Sequence, residues 1–308
     1  MSVALAPPGA RRVALAYLEL TKPRISMLVV ITAVPALLLA AQGMPPLPVF
    51  WGALAGTLMA SGSAACFNMY FDRDIDGMME RTRGRPLPSG RLAPSSASGL
   101  GFALAGLSWV TLVTFTNVLA GLIALASIFY YAVVYTVWLK RRTPQNIVIG
   151  GAAGASAPLI AWAAAAGHVS VPAVLLAGIV FLWTPPHFWA LALCRREDYA
   201  RAGIPMLPVT HGEAETRRQI LLYTLVLVPA TLGLVPLGVA GWVYGIPAAL
   251  LGAAFIRGAW RLKRAPSAAR AMRLFGFSIF YLFALYALLT VDAIFRHSQG
   301  AGAAFGRG

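Results

Sequence analysis

Long apolar runs separated by short polar segments fill most of this chain. Each run is close to the roughly 20 residues that a helix needs to cross a bilayer. The pattern predicts an all-α, polytopic membrane protein. We expect nine membrane-spanning helices, at residues 25–42, 47–70, 97–116, 118–139, 147–166, 171–193, 220–240, 242–260 and 274–295.

The composition supports this interpretation. Of 308 residues, 59% are hydrophobic and only 11% are charged, which is too few charges to cover a soluble domain of this size. We therefore expect one transmembrane domain at 25–295, an N-terminal arm at 1–24 and a C-terminal tail at 296–308. The arm has no long apolar core ending in a cleavage site, so a secretory signal is not expected.

The net charge of +15 is distributed in a way that argues against nucleic-acid binding. Of the 25 Lys and Arg residues, 23 lie in the N-terminal arm, in the loops after the second, fourth, sixth and eighth predicted spans or, for Arg257, in the last turn of the eighth span. Basic residues accumulate on the cytoplasmic side of membrane proteins. We expect the inner membrane of a bacterium, with a cytoplasmic N-terminus and a periplasmic C-terminus.

Eight of the ten carboxylates fall into two clusters, both in loops expected on the cytoplasmic side. In the first cluster, Asn68, Asp72 and Asp76 are spaced by four residues, which places them on one face of a helix. Their oxygens are ligands that Mg²⁺ accepts together with substrate phosphates. Arg81, Arg83 and Arg85 follow as bidentate partners for phosphate oxygens. Metal and phosphate ligands in one stretch indicate a diphosphate leaving group.

Other interpretations of this cluster remain open. The charges could simply belong to a solvated loop. The chain could also be a structural assembly factor, which would not need Asp72. A secondary transporter of an anionic metabolite is a further alternative, although transporters place their sites near the bilayer midplane. A transporter would leave its substrate chemically unaltered.

The motif N-x-x-x-D-x-x-x-D at residues 68–76, followed by M-x-R-T-x-x-R-P-L at 79–87, resembles the UbiA-type intramembrane prenyltransferases. The resemblance implies a bundle of nine transmembrane helices around a central cavity open to the cytoplasm. It also implies a prenyltransferase that ionises a prenyl diphosphate with Mg²⁺ as cofactor.

Four further segments, 20–24, 135–151, 183–192 and 198–209, are similar to those family members that act on haem. This similarity implies farnesyl diphosphate as donor and haem b as acceptor, with haem O as a product for terminal oxidase assembly. Haem b would be a substrate and not a permanent cofactor, and a haem A synthase would be a partner. A quinone precursor or a chlorin ring is the rival acceptor.

The same resemblance suggests roles for further residues. Lys140 would bind the diphosphate with help from Arg141 and Arg142, and Asp198 would be a catalytic residue and a ligand of a second Mg²⁺. His187 stands where the wider family has a second aspartate motif, and it could pack in the bundle, ligate haem iron or orient a haem propionate. The remaining predicted substrate contacts are Tyr135, Asn146, Glu197 and Tyr199.

Overall fold

A computed structural model describes residues 9–305 of the chain. Within that range the ordered elements are all helical, which confirms the predicted fold class. The α-helices are α1 (Ala10–Leu20), α2 (Pro23–Ala40), α3 (Leu47–Met78), α4 (Pro94–Phe115), α5 (Val118–Phe129), α6 (Asn146–Gly154), α7 (Ser156–Ala166), α8 (Val171–Cys194), α9 (Arg196–Arg201), α10 (Leu207–Thr210), α11 (Gly212–Leu232), α12 (Trp242–Arg264) and α13 (Ala268–Phe305). A π-helical segment, Tyr130–Leu139, continues directly from α5.

Eight helical stretches in the described part of the chain are long and apolar enough to cross a membrane. The α5 helix and the π segment form one of them, and α6 with α7 forms another. The predicted span at 220–240 corresponds to α11, whose first turns hold Glu213, Glu215, Arg217 and Arg218 and which ends at Leu232. This helix is not among the eight, so the count of nine stays a prediction.

Several helix ends differ from the predicted ones. The α3 helix continues eight residues beyond the predicted end of its span, so Asp72, Asp74 and Asp76 of the first acidic cluster lie on the helix itself. The stretch predicted at 147–166 is interrupted at Ala155, three residues before Pro158, because proline in a helix interior disturbs the preceding turn. The α13 helix runs through the predicted boundary at 295 as far as Phe305.

Small residues bring α3 and α4 close together. A Cβ on Gly52 would lie 2.4 Å from Phe115 Cβ, and one on Gly56 would lie 2.5 Å from Leu112 Cγ. The Ser108 hydroxyl donates to the Gly56 carbonyl at 2.8 Å across this contact. Close backbone approach through small residues is how membrane helices associate without a hydrophobic driving force. It holds α3, which bears the acidic face, in a fixed position.

At the end of α3 the two acidic loops meet. Ile75 and Met79 pack in one apolar cluster with Tyr199, Ile204 and Met206 from the loop after α8. On the other side, Ala16 and Leu20 of α1 pack against Cys66 and Met69 of α3. The N-terminal arm and the two loops therefore enclose the polar end of α3.

Candidate active site

The polar face of α3 is buried. Asn68, Asp72 and Asp76 have exposed fractions of 4%, 0% and 2%, and they lie on one side of the helix as their spacing predicts. The Asn68 amide nitrogen donates to Asp72 Oδ2 at 2.6 Å and to Thr136 Oγ1 at 3.1 Å. Asn68, Asp72 and Asp76 therefore present side-chain oxygens on one side of α3, where the span ends.

Each of the three side chains is held by a cation from a different part of the chain. Lys22 Nζ donates to Asn68 Oδ1 at 2.5 Å, and Lys140 Nζ donates to Asp72 Oδ2 at 2.5 Å. Arg85 donates to Asp76 Oδ2 at 2.6 Å. We refer to these six residues as the ion cluster. It contains three basic groups and two carboxylates, so it can accept further negative charge.

Lys22 is the residue of this cluster that was given no role from the sequence. It immediately precedes α2, in a left-handed backbone conformation with φ of 48°. Burial, and then the nearby Arg85 and Lys140, lower the pKa of Lys22 to about 7, while Asp72 and Asp76 act in the opposite direction. The position of Lys22, immediately before Pro23 at the start of the first span, is the one feature of the sequence that marks this residue. The residues around Lys22 do not indicate that its side chain reaches Asn68.

The oxygens of the cluster fit a hard divalent cation. Asp72 Oδ1 is buried without a hydrogen-bond partner, although its sister oxygen has two donors. A buried carboxylate oxygen without a partner is costly unless a ligand supplies one. Among the described residues, no three carboxylate, imidazole or thiol side chains gather closely enough to hold a metal. Mg²⁺ at Asn68, Asp72 and Asp76 would therefore need oxygens from a substrate as well, which is its usual behaviour.

The other predicted phosphate-binding residues are placed differently. Arg141 forms a bidentate pair with Asp74, with both N–O distances 2.7 Å, and also donates to the Phe71 carbonyl. Arg83 and Arg142 are exposed. Arg81 lies beside the buried Tyr199; burial raises the pKa of this phenol, and Arg81 and Arg85 lower it. Arg85 is thus the one arginine of the predicted set that pairs with a carboxylate of the ion cluster.

The carboxylates of the second acidic cluster do not reach the ion cluster. Asp198 is buried at the start of α9 and pairs with Arg201 three residues later. Asp198 and Glu197 line a surface depression together with Glu80 and Glu213. Glu213 also pairs with Arg217 at 3.1 Å, and Glu215 with Arg218 at 3.3 Å. The structure connects this loop to the ion cluster through Tyr199 and Arg81.

A cavity of about 260 Å³ lies inside the bundle, and Lys22 is part of its wall. The lining is mostly apolar and includes five aromatic side chains besides His187. These aromatic residues are Tyr131, Tyr135, Trp183, Phe188 and Phe283. Because Lys22 contacts both the cavity and Asn68, the ion cluster lies at one end of this apolar space.

Tyr135 and Asn146 shape the wall and the neighbouring loop. Tyr135 stacks on Tyr131 with ring centroids 5.2 Å apart, both in the π segment. π-helical turns are rare and frequently occur at functional sites. Asn146 is fully buried at the start of α6 and donates to the Lys140 carbonyl at 3.3 Å, which helps to hold the loop that carries Lys140.

His187 is fixed by its neighbours in the cavity wall. Its ring stacks between Trp183 and Phe275, with centroid distances of 4.2 and 4.6 Å. His187 Nδ1 lies 2.7 Å from Ser278 Oγ, whose single proton is donated to the Phe275 carbonyl at 2.6 Å. The Ser278 oxygen must therefore accept from His187 Nδ1–H. In the neutral imidazole this leaves the Nε2 lone pair free.

Comparisons with known proteins, by family model and by sequence identity, point to one family. The family model described as the UbiA prenyltransferase family matches residues 29–286. The protoheme IX farnesyltransferase of Gloeobacter violaceus is 52% identical over 281 residues, covering 91% of this chain and 92% of that protein. The protein of the same name from Azorhizobium caulinodans is 50% identical over 284 residues, covering 91% and 92%.

Solved structures share the fold. A digeranylgeranylglyceryl phosphate synthase structure has a TM-score of 0.76 at 21% identity, covering 92% of this chain and 99% of that one. A UbiA homolog from Archaeoglobus fulgidus, solved with GPP and Mg²⁺, has a TM-score of 0.59 at 16% identity, covering 91% and 99%. At such identities the likeness concerns the arrangement of helices.

Proposed function

Because the chain belongs to the UbiA prenyltransferase family, we propose that it transfers a farnesyl group from farnesyl diphosphate to a vinyl group of haem b. The diphosphate leaves, water adds to the vinyl carbon that does not take the farnesyl group, and the product is haem O, for use in terminal oxidase assembly. Relatives that are about half identical over nine-tenths of the chain carry the name protoheme IX farnesyltransferase. The observation that carries the proposal is the unpartnered Asp72 Oδ1 within the buried ion cluster, at the end of an aromatic cavity.

The ion cluster is suited to bind a metal–diphosphate pair. Asn68, Asp72 and Asp76 would hold Mg²⁺, which when bound neutralises charge on the leaving diphosphate and favours its departure. Lys22, Lys140 and Arg85 can shift their hydrogen bonds from the side chains of α3 to the diphosphate oxygens. Donors that are already in place before the charge develops provide the largest share of such stabilisation.

The cavity is suited to the prenyl chain and the acceptor. Its apolar wall would exclude water from the allylic cation formed on loss of diphosphate. The faces of Trp183, Tyr131 and Phe188 can stabilise that cation, because aromatic faces attract positive charge.

His187 supports haem as the acceptor. A free Nε2 lone pair can ligate haem iron. It cannot donate a hydrogen bond to a propionate, so the hydrogen bond from Nδ1 to Ser278 favours iron ligation over propionate orientation. The contribution of Asp198 through a second metal ion has less support, because its carboxylate pairs with Arg201.

We also propose the orientation in the membrane. The ion cluster and the two acidic loops would face the cytoplasm of a bacterium, with the chain crossing the inner membrane several times and ending in the periplasm. The distribution of Lys and Arg supports this orientation.

The test is turnover by the purified chain in liposomes with farnesyl diphosphate and haem b, followed by mass and visible spectrum of the pigment. We expect a farnesylated haem that forms with Mg²⁺ and not in excess chelator. Parallel reactions with 4-hydroxybenzoate test the rival acceptor. Farnesylation of 4-hydroxybenzoate alone, or unaltered farnesyl diphosphate in every reaction, would contradict the proposal.

A further inference from the structure

Two serines lie in the wall of the apolar cavity, close to the ion cluster. Ser61 of α3 is half-buried and Ser26 of α2 is buried, and both line the cavity together with Lys22. Ser26 follows Lys22 by about one helical turn, and Ser61 precedes Asn68 by nearly two turns on the same face of α3. The two hydroxyls therefore lie about 6–10 Å further along the helices than the ion cluster. Nothing in the proposed binding of metal, diphosphate or prenyl chain uses them.

The protons of both hydroxyls are already committed. A carbonyl oxygen can only accept, so Ser26 Oγ donates to the Thr21 carbonyl at 2.9 Å. Ser26 Oγ in turn accepts from Ser61 Oγ, also at 2.9 Å. Because a hydroxyl has one proton, Ser61 Oγ can only accept a hydrogen bond from a molecule in the cavity. The Ser61–Ser26 pair thus places a fixed acceptor in a wall that is mostly apolar.

Other hydroxyls of the cavity wall are bonded differently. Four of them donate to a carbonyl three or four residues earlier in the chain, and these belong to Thr32, Ser127, Ser156 and Thr184. Thr32 lies ten residues after Lys22, and Ser127 lies nine residues before Thr136, so both are further from the ion cluster than Ser26 and Ser61 are. The Ser61–Ser26 pair differs from these four because it joins two helices and lies next to the ion cluster.

The proposed reaction needs water at one position and must exclude it elsewhere. When the terminal vinyl carbon uses its π electrons to bond to the farnesyl carbon that lost the diphosphate, the positive charge moves to the vinyl carbon attached to the porphyrin ring. Addition of water to that carbon gives the hydroxylated product. Without a bound water, the cation loses a proton from the carbon that joined the farnesyl group and becomes an alkene. The site must therefore hold one water in a fixed orientation.

We propose, on the basis of the proposed function, that Ser61 binds the water that adds to the vinyl group and that Ser26 positions Ser61. A water that donates to an acceptor-only oxygen turns its own lone pairs away from that oxygen and toward the substrate. One lone pair forms the new C–O bond. One proton stays on the new hydroxyl, hydrogen-bonded to Ser61 Oγ, and the other passes to an oxygen of the departed diphosphate.

The position of the pair agrees with this role. The carbon that takes the water is two bonds away from the farnesyl carbon that carried the diphosphate. An acceptor one to two helical turns from the residues that would bind the diphosphate is therefore near the acceptor carbon and separated from the allylic cation.

The test identifies the products that the purified chain and its variants form in liposomes with farnesyl diphosphate, haem b and Mg²⁺. The hydroxylated and dehydrated farnesyl haems differ by one molecule of water, and mass spectrometry separates them. We compare Ser61→Ala and Ser26→Ala with Ser127→Ala, which removes a hydroxyl from the same cavity wall. The measured quantity is the ratio of the two products, which a general loss of folded or active enzyme does not change.

We expect the ratio of hydroxylated to dehydrated product to fall about tenfold in Ser61→Ala, because the water loses one hydrogen bond. Ser26→Ala should lower the ratio less, since Ser61 keeps its oxygen but regains a free proton. Ser127→Ala should give the wild-type ratio. An unchanged ratio in Ser61→Ala, or an equal fall in Ser127→Ala, would overturn the water site and leave the proposed function intact. Absence of farnesylated haem from the wild type would overturn both.

Discussion

At the scale of single residues, the main feature is that each of the three α3 side chains proposed to bind the metal already has a basic partner. Lys22, Lys140 and Arg85 hold Asn68, Asp72 and Asp76 within hydrogen-bond distance. Removing one member of a buried ion pair costs about 3–5 kcal/mol, because the remaining charge is left uncompensated. The pairs therefore fix the side chains where a metal ion and a diphosphate would meet them.

Asp72→Asn should lower farnesyl transfer about a hundredfold or more, because the amide removes the negative charge that would bind the metal. Asp74→Asn is the matched control, since Asp74 lies off the buried face and its side chain is 58% exposed. Turnover is measured in liposomes, and correct assembly by size-exclusion chromatography in detergent. Near-wild-type turnover of Asp72→Asn would remove this residue from the metal site.

His187→Ala should abolish the spectral shift expected when haem b binds, because it removes the free Nε2 ligand. His211→Ala serves as the control, as His211 is an exposed histidine between α10 and α11. Ser278→Ala should weaken haem binding about tenfold, since His187 Nδ1–H loses its acceptor. These affinities are measured by titration of the Soret band. Unchanged haem binding by His187→Ala would leave this residue with a packing role only.

At the scale of elements, the contact between α6 and the π segment determines the shape of the cavity wall. A Cβ on Gly150 would lie 2.2 Å from Tyr135 Cδ2, so only glycine allows the two segments to approach this closely. The π segment also carries Thr136, which meets Asn68. The packing of one glycine is thus coupled to the position of the ion cluster.

Gly150→Ala should destabilise the protein by about 1–3 kcal/mol, because an added methyl group must displace the Tyr135 ring. Gly154→Ala is the matched control in the same helix, since a Cβ there meets no atom within 4 Å. The control should be neutral or more stable by up to about 1 kcal/mol. Thermal unfolding in detergent measures both. Equal stability of the two variants would show that the Tyr135 ring moves aside at little energetic cost.

At the scale of the whole molecule, periodic features could be predicted from the sequence and long-range contacts could not. The spacing of Asn68, Asp72 and Asp76 predicts their common face, because helix geometry alone determines it. Two of the three partners of that face, Lys22 and Lys140, come from positions 46 and 68 residues away in the chain, and nothing in the local sequence specifies them. The third, Arg85, follows Asp76 by only nine residues. The pairing of Arg141 with Asp74 was missed for the same reason.

Local composition also does not predict where a helix departs from the regular α form. The run at 118–139 predicts one span, and it is one continuous helical stretch, but its second half is π-helical. The spacing of apolar residues does not distinguish an α-helix from a π-helix, in which each backbone hydrogen bond spans one residue more. The span at 220–240 was predicted from apolarity alone, although the helix in question begins with a charged turn at Gly212.

The proposed orientation predicts different accessibility for the two ends of the bundle. In a background with Cys66→Ala and Cys194→Ser, a cysteine at His168 should react with an impermeant maleimide added to spheroplasts. A cysteine at Ser89, in the loop after α3, should react only after permeabilisation. Both positions are exposed. The reverse labelling pattern would invert the assigned topology.

The wide turn between Tyr131 and Thr136 has a further consequence. Thr136 Oγ1 donates to the Tyr131 carbonyl five residues earlier, within a stretch wound more loosely than an α-helix. Deleting one residue there, with the winding otherwise unchanged, should rotate everything that follows by roughly one residue's turn about the helix axis. Lys140 would then turn away from Asp72. Deletion of one uncharged residue would thus remove the positive partner of Asp72, although Lys140 itself is still present.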